Sequence, residues 1–276
     1  MPELPEVETV RRSLLPVVLH QHIERVDVHY ERILQNIAAQ DFRDLITGSQ
    51  FLNLTRRGKY LIFSLENDWE LVAHLRMTGR LIFVSDPCLP LAKHTSVVFN
   101  FGSQGALRFE DVRKFATIDL VPSGNYEQIR GLYTLGVEPL SSEFSLAAFQ
   151  DLLQDRNTKI KGLLLDQTKI AGLGNIYADE SLFMAGIHPE RPASSLEDRE
   201  QQRLYQAIRE VLTLAIENQG TTFRDYRTGY GLEGSFQNKL LIYGKKGEEC
   251  PRCGAKFEHK KVAGRTSHFC PSCQRE

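Results

Sequence analysis

Short apolar runs recur through the first half of the chain, from about residue 50 to residue 121, with turn residues between them. They include Tyr60-Leu-Ile-Phe63 and Leu81-Ile-Phe-Val84. Strand-like runs at spacings of about 8–12 residues, without helical patterns between them, are typical of β-sandwiches and β-barrels. The first half of the chain is therefore predicted to be all β.

The second half changes to apolar positions three or four residues apart, which is the period of an amphipathic helix. The longest such pattern lies between Ser195 and Asn218, where Ser194 or Ser195 can cap the helix start. The change of pattern falls in a stretch with three glycines between Pro122 and Pro139. A helical half is therefore predicted to follow the β half, with the boundary in this stretch.

The composition is that of a folded protein, because 41% of the 276 residues are hydrophobic and 25% are charged. No apolar run approaches the roughly 20 residues of a membrane span, and the acidic first residues are unlike a signal peptide. We therefore expect a cytoplasmic protein without membrane association. The net charge of the chain is −1, but the segment from Gln237 to Glu276 has nine basic and four acidic residues. Positive charge is therefore concentrated in this segment.

Two Cys-x2-Cys pairs lie in this basic tail, separated by sixteen residues. This spacing allows two tight turns to place four thiolates around one Zn²⁺ ion. A redox pair or two disulfides are the alternatives. The fifth cysteine, Cys88, is interpreted as a buried or unreactive thiol rather than a nucleophile. Between the pairs, Lys260, Lys261 and Arg265 suit phosphate contacts, although a solvated basic face explains them equally well. The four candidate zinc ligands are Cys250, Cys253, Cys270 and Cys273.

The first residues allow two interpretations. Pro5 at a first helical position, with Glu6 and Glu8 in the first turn, is ordinary chemistry for a helix start. Removal of Met1 would instead expose Pro2 as a secondary amine with a pKa of about 8, able to attack an electrophilic carbon and form an iminium. Glu3 would then lie beside the amine as proton donor or acceptor.

A third motif, Gly172-Leu-Gly-Asn175, precedes an apolar helical pattern. It lacks the third glycine and the preceding strand of a dinucleotide fingerprint. It suits a tight turn between helices whose backbone N–H groups face an anion. Asn175 either caps the helix or binds phosphate, and capping is the commoner role.

Together these motifs resemble the formamidopyrimidine-DNA glycosylase family. The resemblance rests on Pro2-Glu-Leu-Pro-Glu-Val-Glu-Thr9, His74-Leu-Arg-Met-Thr-Gly79, Gly172-Leu-Gly-Asn-Ile-Tyr-Ala178 and the four cysteines with Arg265. It runs from Pro2 to Cys273 in the family's order. Leu4 also favours this family over its endonuclease VIII sister branch, which typically has glycine at that position.

The resemblance implies a bifunctional glycosylase and abasic-site lyase that removes 8-oxoguanine and ring-opened purines from double-stranded DNA. It implies an N-terminal helix and antiparallel β-sandwich over residues 1–130, a helix–two-turns–helix domain over 131–238, and a zinc finger with one structural Zn²⁺ over 239–276. DNA would bind between the two halves, and a loop over 221–237 would close on the damaged base. We expect a monomer.

The family's functional residues map onto this chain one at a time. Pro2 would attack C1′, Glu3 would handle protons on the sugar, and Lys59 and Arg265 would act at phosphates near the lesion. Met77, Arg113 and Phe115 would fill the space left by the extruded base, although their pattern alone suggests core or surface residues. His74 and Asn175 would bind phosphate. The resemblance leaves open which of Lys159 and Lys161 contacts DNA. The expected lesion-pocket residues are Glu6, Glu180, Thr221 and Thr222.

The chain departs from the family pattern at two positions: Val112 stands where the family often has proline or alanine, and Ala116 replaces a frequent glycine. These departures leave the conformation of the loop around Arg113 open. Two rival functions also remain open. One is a glycosylase for oxidised pyrimidines, as in the sister branch. The other is a zinc-ribbon DNA-binding protein without catalysis.

Overall fold

The computed structural model describes residues 1–222 and 226–275. It divides into two compact units, one formed by Met1–Tyr133 with Asn218–Gln237, the other by Thr134–Glu217 with the chain from Asn238 on. The segment expected as a loop over 221–237 therefore groups with the β unit in this division, and its residues 223–225 lie outside the described residues. The domain boundaries taken from the resemblance stay a prediction.

The first unit contains the predicted antiparallel β-sandwich. Among its described residues, eight strands form two four-stranded antiparallel sheets with the orders β1-β6-β7-β5 and β2-β3-β4-β8. Side chains from both sheets and from the first helix share one apolar core. The strands are β1 Arg25–Val28, β2 Phe51–Arg57, β3 Tyr60–Leu65, β4 Trp69–His74, β5 Gly79–Val84, β6 Thr95–Asn100, β7 Ala106–Asp111 and β8 Thr117–Pro122, and the helices are α1 Leu4–Val18, α2 Ala39–Ile46 and α3 Arg130–Tyr133.

Helix α1 confirms a helix at this point, but it begins at Leu4, so Pro5 is its second residue rather than its first. Pro5 lies in its first turn, and Glu6 accepts a hydrogen bond from the backbone N–H of Glu3 at 2.8 Å. An apolar stripe on this helix is fully buried against the sheets, which fixes the position of the chain's first residues. The stripe consists of Leu4, Val7, Val10, Leu14 and Val18.

The second unit is helical and ends in a two-stranded hairpin. Its longest helix starts three residues later than the sequence suggested, so the prediction of a cap at Ser194 or Ser195 is wrong. Both serines lie in a 3-10 turn, and the carboxylate of Glu200 accepts the N–H of Glu197 at 2.9 Å instead. Among the described residues, no helix is both long and apolar enough to cross a membrane. The elements are α4 Leu146–Leu153, α5 Ile160–Leu165, α6 Asn175–Ala185, α7 Asp198–Glu217, β9 Glu258–Val262 and β10 Arg265–Phe269.

Candidate active site and metal centre

The start of α1 is tied to a segment more than two hundred residues away. Pro2, Glu3 and Glu6 are buried, whereas Met1 is 47% exposed. One carboxylate oxygen of Glu6 accepts the N–H of Glu3, and the other accepts the N–H of Thr221 at 2.7 Å. Glu6 therefore joins Glu3, the neighbour of the candidate nucleophile Pro2, to the expected lesion loop.

The described residues of this segment are held by further hydrogen bonds. The hydroxyl of Thr222 accepts the N–H of Gly234 at 2.9 Å, and its own N–H donates to Gln237 Oε1 at 3.0 Å. Gly229 accepts an N–H from β5 and donates to Ser13 of α1 at 2.8 Å. A Cβ on Gly229 would lie 2.7 Å from the side chain of Leu14, so this contact requires glycine. The structure thus brings Thr221 and Thr222 close to the start of α1.

Lys59 lies in the turn between β2 and β3 and is only 7% exposed. It is therefore not the exposed strand lysine that the sequence pattern alone favoured. The turn is fixed from α1, because Glu8 pairs with Arg56 at 3.2 Å and Arg56 donates to the carbonyl of Gly58 at 2.9 Å.

His74 ends strand β4 opposite Tyr60, the residue after Lys59. Burial, followed by the positive charges of Arg76 and Lys59, lowers the pKa of His74 to about 3. Its Nδ1 accepts the N–H of Arg76 at 2.9 Å, so the neutral ring carries its proton on Nε2. His74 can therefore donate one neutral hydrogen bond to an anion at physiological pH.

Met77, Arg113 and Phe115 lie on two loops of the first unit. Met77 is 37% and Phe115 is 54% exposed, so neither is the core residue that periodicity alone favoured. The guanidinium of Arg113 lies 5.2 Å from the centre of the Phe115 ring. Pairing of Gly79 with Asp111 in β5 and β7 places the two loops side by side.

Asn175 lies against the β9–β10 hairpin of the second unit, whose second strand begins at Arg265. Gly174 is the N-cap of α6, so the capping interpretation of Asn175 is wrong. Instead, Asn175 Nδ2 donates to the carbonyl of Thr266 at 2.9 Å, next to the exposed Arg265. Asn175 Oδ1 is buried and has no hydrogen-bond partner among the described residues.

A fully buried ion pair lies behind these two residues. Lys161 Nζ is 2.6 Å from Asp179 Oδ1 and donates to the carbonyl of Thr266 at 3.1 Å. The other oxygen of Asp179 accepts the N–H of His268 at 3.0 Å and contacts its ring nitrogen at 3.1 Å. Lys159, by contrast, is half exposed and pairs with Glu190. Sequence reasoning missed Asp179, although a lysine among the apolar residues of α5 was a signal for a buried acidic partner.

Glu180 adjoins Asp179 but has different partners. Its carboxylate accepts the backbone N–H groups of Leu241, Ile242 and Tyr243 at 2.8–2.9 Å. Burial raises its pKa in spite of these three hydrogen bonds. Glu180 thus anchors the chain that leads into the zinc finger, and its expected place in a lesion pocket stays a prediction.

The four cysteine sulfurs lie within 4.8 Å of one another. Cys250 and Cys273 are 3.9 Å apart, and Cys253 and Cys270 are 3.5 Å apart, so none of them forms a disulfide. Four thiolates bound to a tetrahedral zinc ion at about 2.3 Å are about 3.8 Å apart, which matches these distances. The cluster therefore suits one structural zinc ion, and Cys88 is exposed and separate from it.

Three family models match the chain in succession. They are the formamidopyrimidine-DNA glycosylase N-terminal domain over residues 1–118, the H2TH domain of the same glycosylase over 135–227, and a zinc finger found in FPG and IleRS over 247–275. These matches agree with the β-sandwich, the helical unit and the four-cysteine cluster. The chain thus has the architecture of a glycosylase with a helix–two-turns–helix domain and a zinc finger.

Individual formamidopyrimidine-DNA glycosylases match this chain over its whole length. Formamidopyrimidine-DNA glycosylases from Heliobacterium modesticaldum and Pelotomaculum thermopropionicum are 48% and 46% identical, and the matches cover 100% of this chain and 100% and 99% of theirs. A Lactococcus lactis FPG mutant in complex with DNA containing Fapy-dG superposes with a TM-score of 0.93 at 40% identity, covering 100% of both chains. MutM (FPG) from Thermus thermophilus gives 0.89 at 44% identity, covering 99% of this chain and 98% of that one. This chain belongs to the formamidopyrimidine-DNA glycosylase family.

Proposed function

We propose that this chain removes oxidised and ring-opened purines, including 8-oxoguanine, from double-stranded DNA and then cleaves the strand at the abasic site. The observation that carries the proposal is the buried start of α1, where Glu6 fixes the backbone of Glu3, the residue that follows Pro2. Family membership supports the glycosylase step. The solved Lactococcus lactis complexes contain Fapy-dG or an abasic site, which supports the choice of substrate.

The proposed chemistry starts after removal of Met1, because an amide nitrogen is not nucleophilic. The lone pair of the Pro2 nitrogen attacks C1′, the glycosidic bond breaks, and the base leaves with its bonding electrons and a proton. Opening of the sugar gives an iminium at C1′, with Glu3 moving protons at the sugar. The iminium makes the C2′ protons acidic, so the 3′-phosphate and then the 5′-phosphate leave by elimination.

We propose that phosphate contacts come from both units. Lys59 and His74 would bind phosphate near the lesion, with His74 as a neutral donor through Nε2. Asn175 and Arg265 would bind a second stretch of backbone, with the hairpin held by the buried Lys161–Asp179 pair. Burial excludes Lys161 itself from this contact, which leaves the half-exposed Lys159.

Base extrusion needs a replacement for the lost stacking. The exposed Met77 and Phe115, with Arg113 stacked on Phe115, have the apolar and cationic character that this role requires. Thr221 and Thr222 would lie at the extruded base, because Glu6 connects Thr221 to the start of α1.

Borohydride trapping on an 8-oxoguanine·cytosine duplex tests the proposal. A covalent adduct that maps to Pro2 is expected for the processed protein, and it should be absent when extra N-terminal residues convert the Pro2 nitrogen to an amide. Glu3→Gln should slow the reaction by about 10²–10⁴-fold while DNA binding persists. A Pro2→Gly variant, which keeps a terminal amine, separates the need for any amine from the need for proline.

The two rival functions give different results in the same assay. Adducts with a thymine-glycol duplex but not with 8-oxoguanine would favour the pyrimidine glycosylase. DNA binding without any adduct from processed, zinc-loaded protein would contradict catalysis.

A further inference from the structure

The loop that carries Met77 and the loop that carries Arg113 and Phe115 share one buried carboxylate. Residues 75–78 connect β4 to β5, and residues 112–116 connect β7 to β8. Asp111 ends β7 between them and is 1% exposed.

Both carboxylate oxygens of Asp111 accept hydrogen bonds from the loops. Oδ1 accepts the hydroxyl of Thr78 in a short contact and the N–H of Arg113 at 3.2 Å, and Oδ2 accepts the N–H of Ala116 at 2.7 Å. The hydroxyl of Thr78 in turn accepts the N–H of Arg113 at 3.0 Å. Asp111 and Thr78 therefore close the second loop on itself and attach it to the first.

The loop between these hydrogen bonds has an unfavourable backbone. Lys114 has a φ of +57°, a left-handed conformation that residues other than glycine rarely adopt. The bonds from Asp111 to Arg113 and Ala116 lie on either side of it. Without them, we expect the loop to leave this conformation.

The two loops also pack without spare room. A Cβ on Gly79 would lie 2.5 Å from the carbonyl oxygen of Leu75 and 3.0 Å from the Cβ of Ala116. Ala116 is 3% exposed, so its methyl group fills the space that Gly79 leaves. Alanine in place of the family's frequent glycine at position 116 is therefore compatible with a fixed loop.

We propose that Asp111 and Thr78 form a positioning pair that fixes both loops in one arrangement, so that Met77, Arg113 and Phe115 enter the duplex together. This inference rests on the proposed function. Asp111 is buried and does not touch DNA itself, so its effect passes through the exposed side chains. Loss of the pair should impair extrusion of a stacked base more than the chemistry that follows.

The test compares Thr78→Val, which keeps the branched shape but removes the hydroxyl, with Thr78→Ser, which keeps the hydroxyl. Single-turnover rates are measured on an 8-oxoguanine·cytosine duplex and on a duplex with a preformed abasic site, which has no base to extrude. Thr78→Val should slow 8-oxoguanine excision by about 10–100-fold and abasic cleavage by less than about threefold. Thr78→Ser should restore excision.

Asp111→Asn supplies a second variant. Its amide can still accept from Thr78 but turns an N–H toward Ala116, so excision should fall while abasic cleavage persists. Equal slowing on both substrates, or wild-type excision by Thr78→Val, would overturn the positioning role. Failure of the wild-type protein to excise 8-oxoguanine would instead contradict the proposed function. If a variant unfolds, the remaining variants are tested with a fluorescent base analogue opposite the lesion. Its fluorescence measures directly the insertion of Met77, Arg113 and Phe115 into the duplex.

Discussion

Glu6 in the first unit and Asp179 in the second unit are both buried acids, but the groups that they bind differ. In the first unit, Glu6 accepts backbone N–H groups from Glu3 and from Thr221, which is 215 residues away. In the second unit, Asp179 binds the ammonium group of Lys161 and both the backbone and the ring of His268. One acid fixes the path of the backbone, and the other neutralises a buried cation.

This difference sets the cost of disturbing each region. A hydrogen bond from an N–H group to a charged acceptor contributes about 1.5–3 kcal/mol. Removal of one member of a buried ion pair costs about 3–5 kcal/mol, because it leaves an uncompensated charge. We therefore expect a substitution in the Lys161–Asp179 pair to cost more than a substitution of Glu6.

Loss of zinc should have the largest effect. Cys270→Ser should prevent zinc binding and unfold the β9–β10 hairpin, since a structural zinc ion contributes about 10–16 kcal/mol to the folding of small modules. Thr266 and His268 would then leave Lys161 and Asp179. Zinc content and DNA affinity at fixed salt, by fluorescence anisotropy, measure the outcome. Cys88→Ser is the matched control, and full DNA affinity in zinc-free Cys270→Ser protein would contradict the prediction.

How much of the molecule could be predicted from the sequence depends on whether the contacts involved are local or distant along the chain. The zinc ligands were predictable because each pair lies in one tight turn, and the strands were predictable because their apolar runs are local. The link from Glu6 to Thr221 has no local signal. Asp111 also gave none, since an acid at a strand end is ordinary until the tertiary structure shows its donors. Such contacts depend on where distant segments meet.

Removal of a buried cation should have the next largest effect. Lys161→Met keeps the length of the side chain but leaves Asp179 buried with His268, so the free energy of unfolding should fall by about 3–5 kcal/mol. Lys159→Met is the control, because its pair with Glu190 is half exposed and should be worth about 0–1 kcal/mol. Urea unfolding measures both variants. Similar losses in the two would show that burial does not distinguish the pairs.

Disturbance of the backbone anchor should cost less. Glu6→Gln replaces one carboxylate oxygen by an NH₂ group that faces the N–H of Glu3 or of Thr221. We expect a loss of about 1–3 kcal/mol in the free energy of unfolding and faster hydrogen exchange at Thr221. Glu66→Gln, at an exposed position in the same unit, serves as the control. A loss as large as that of Lys161→Met would remove the distinction between the two regions.

Acid titration of Glu8 should give the smallest effect and tests a cation-paired acid within the first unit. Burial opposes its charge, but hydrogen bonds from Arg11 and Arg12 and the charge of Arg56 outweigh it and lower the pKa of Glu8 to about 2. Because this pKa lies below the unfolded value of about 4.3, the stabilisation is complete above about pH 5. It is lost as the pH falls from there towards 2.

The expected contribution of Glu8 is about 1–2 kcal/mol, since the exposed Arg12 is screened by water. Urea unfolding of wild type and Glu8→Gln at several pH values measures it as the difference between the two curves. The difference should be constant from pH 8 to pH 5 and shrink below that. A difference that grows in acid would mean that the arginines do not stabilise the carboxylate. The turn that carries Lys59 would then need another anchor.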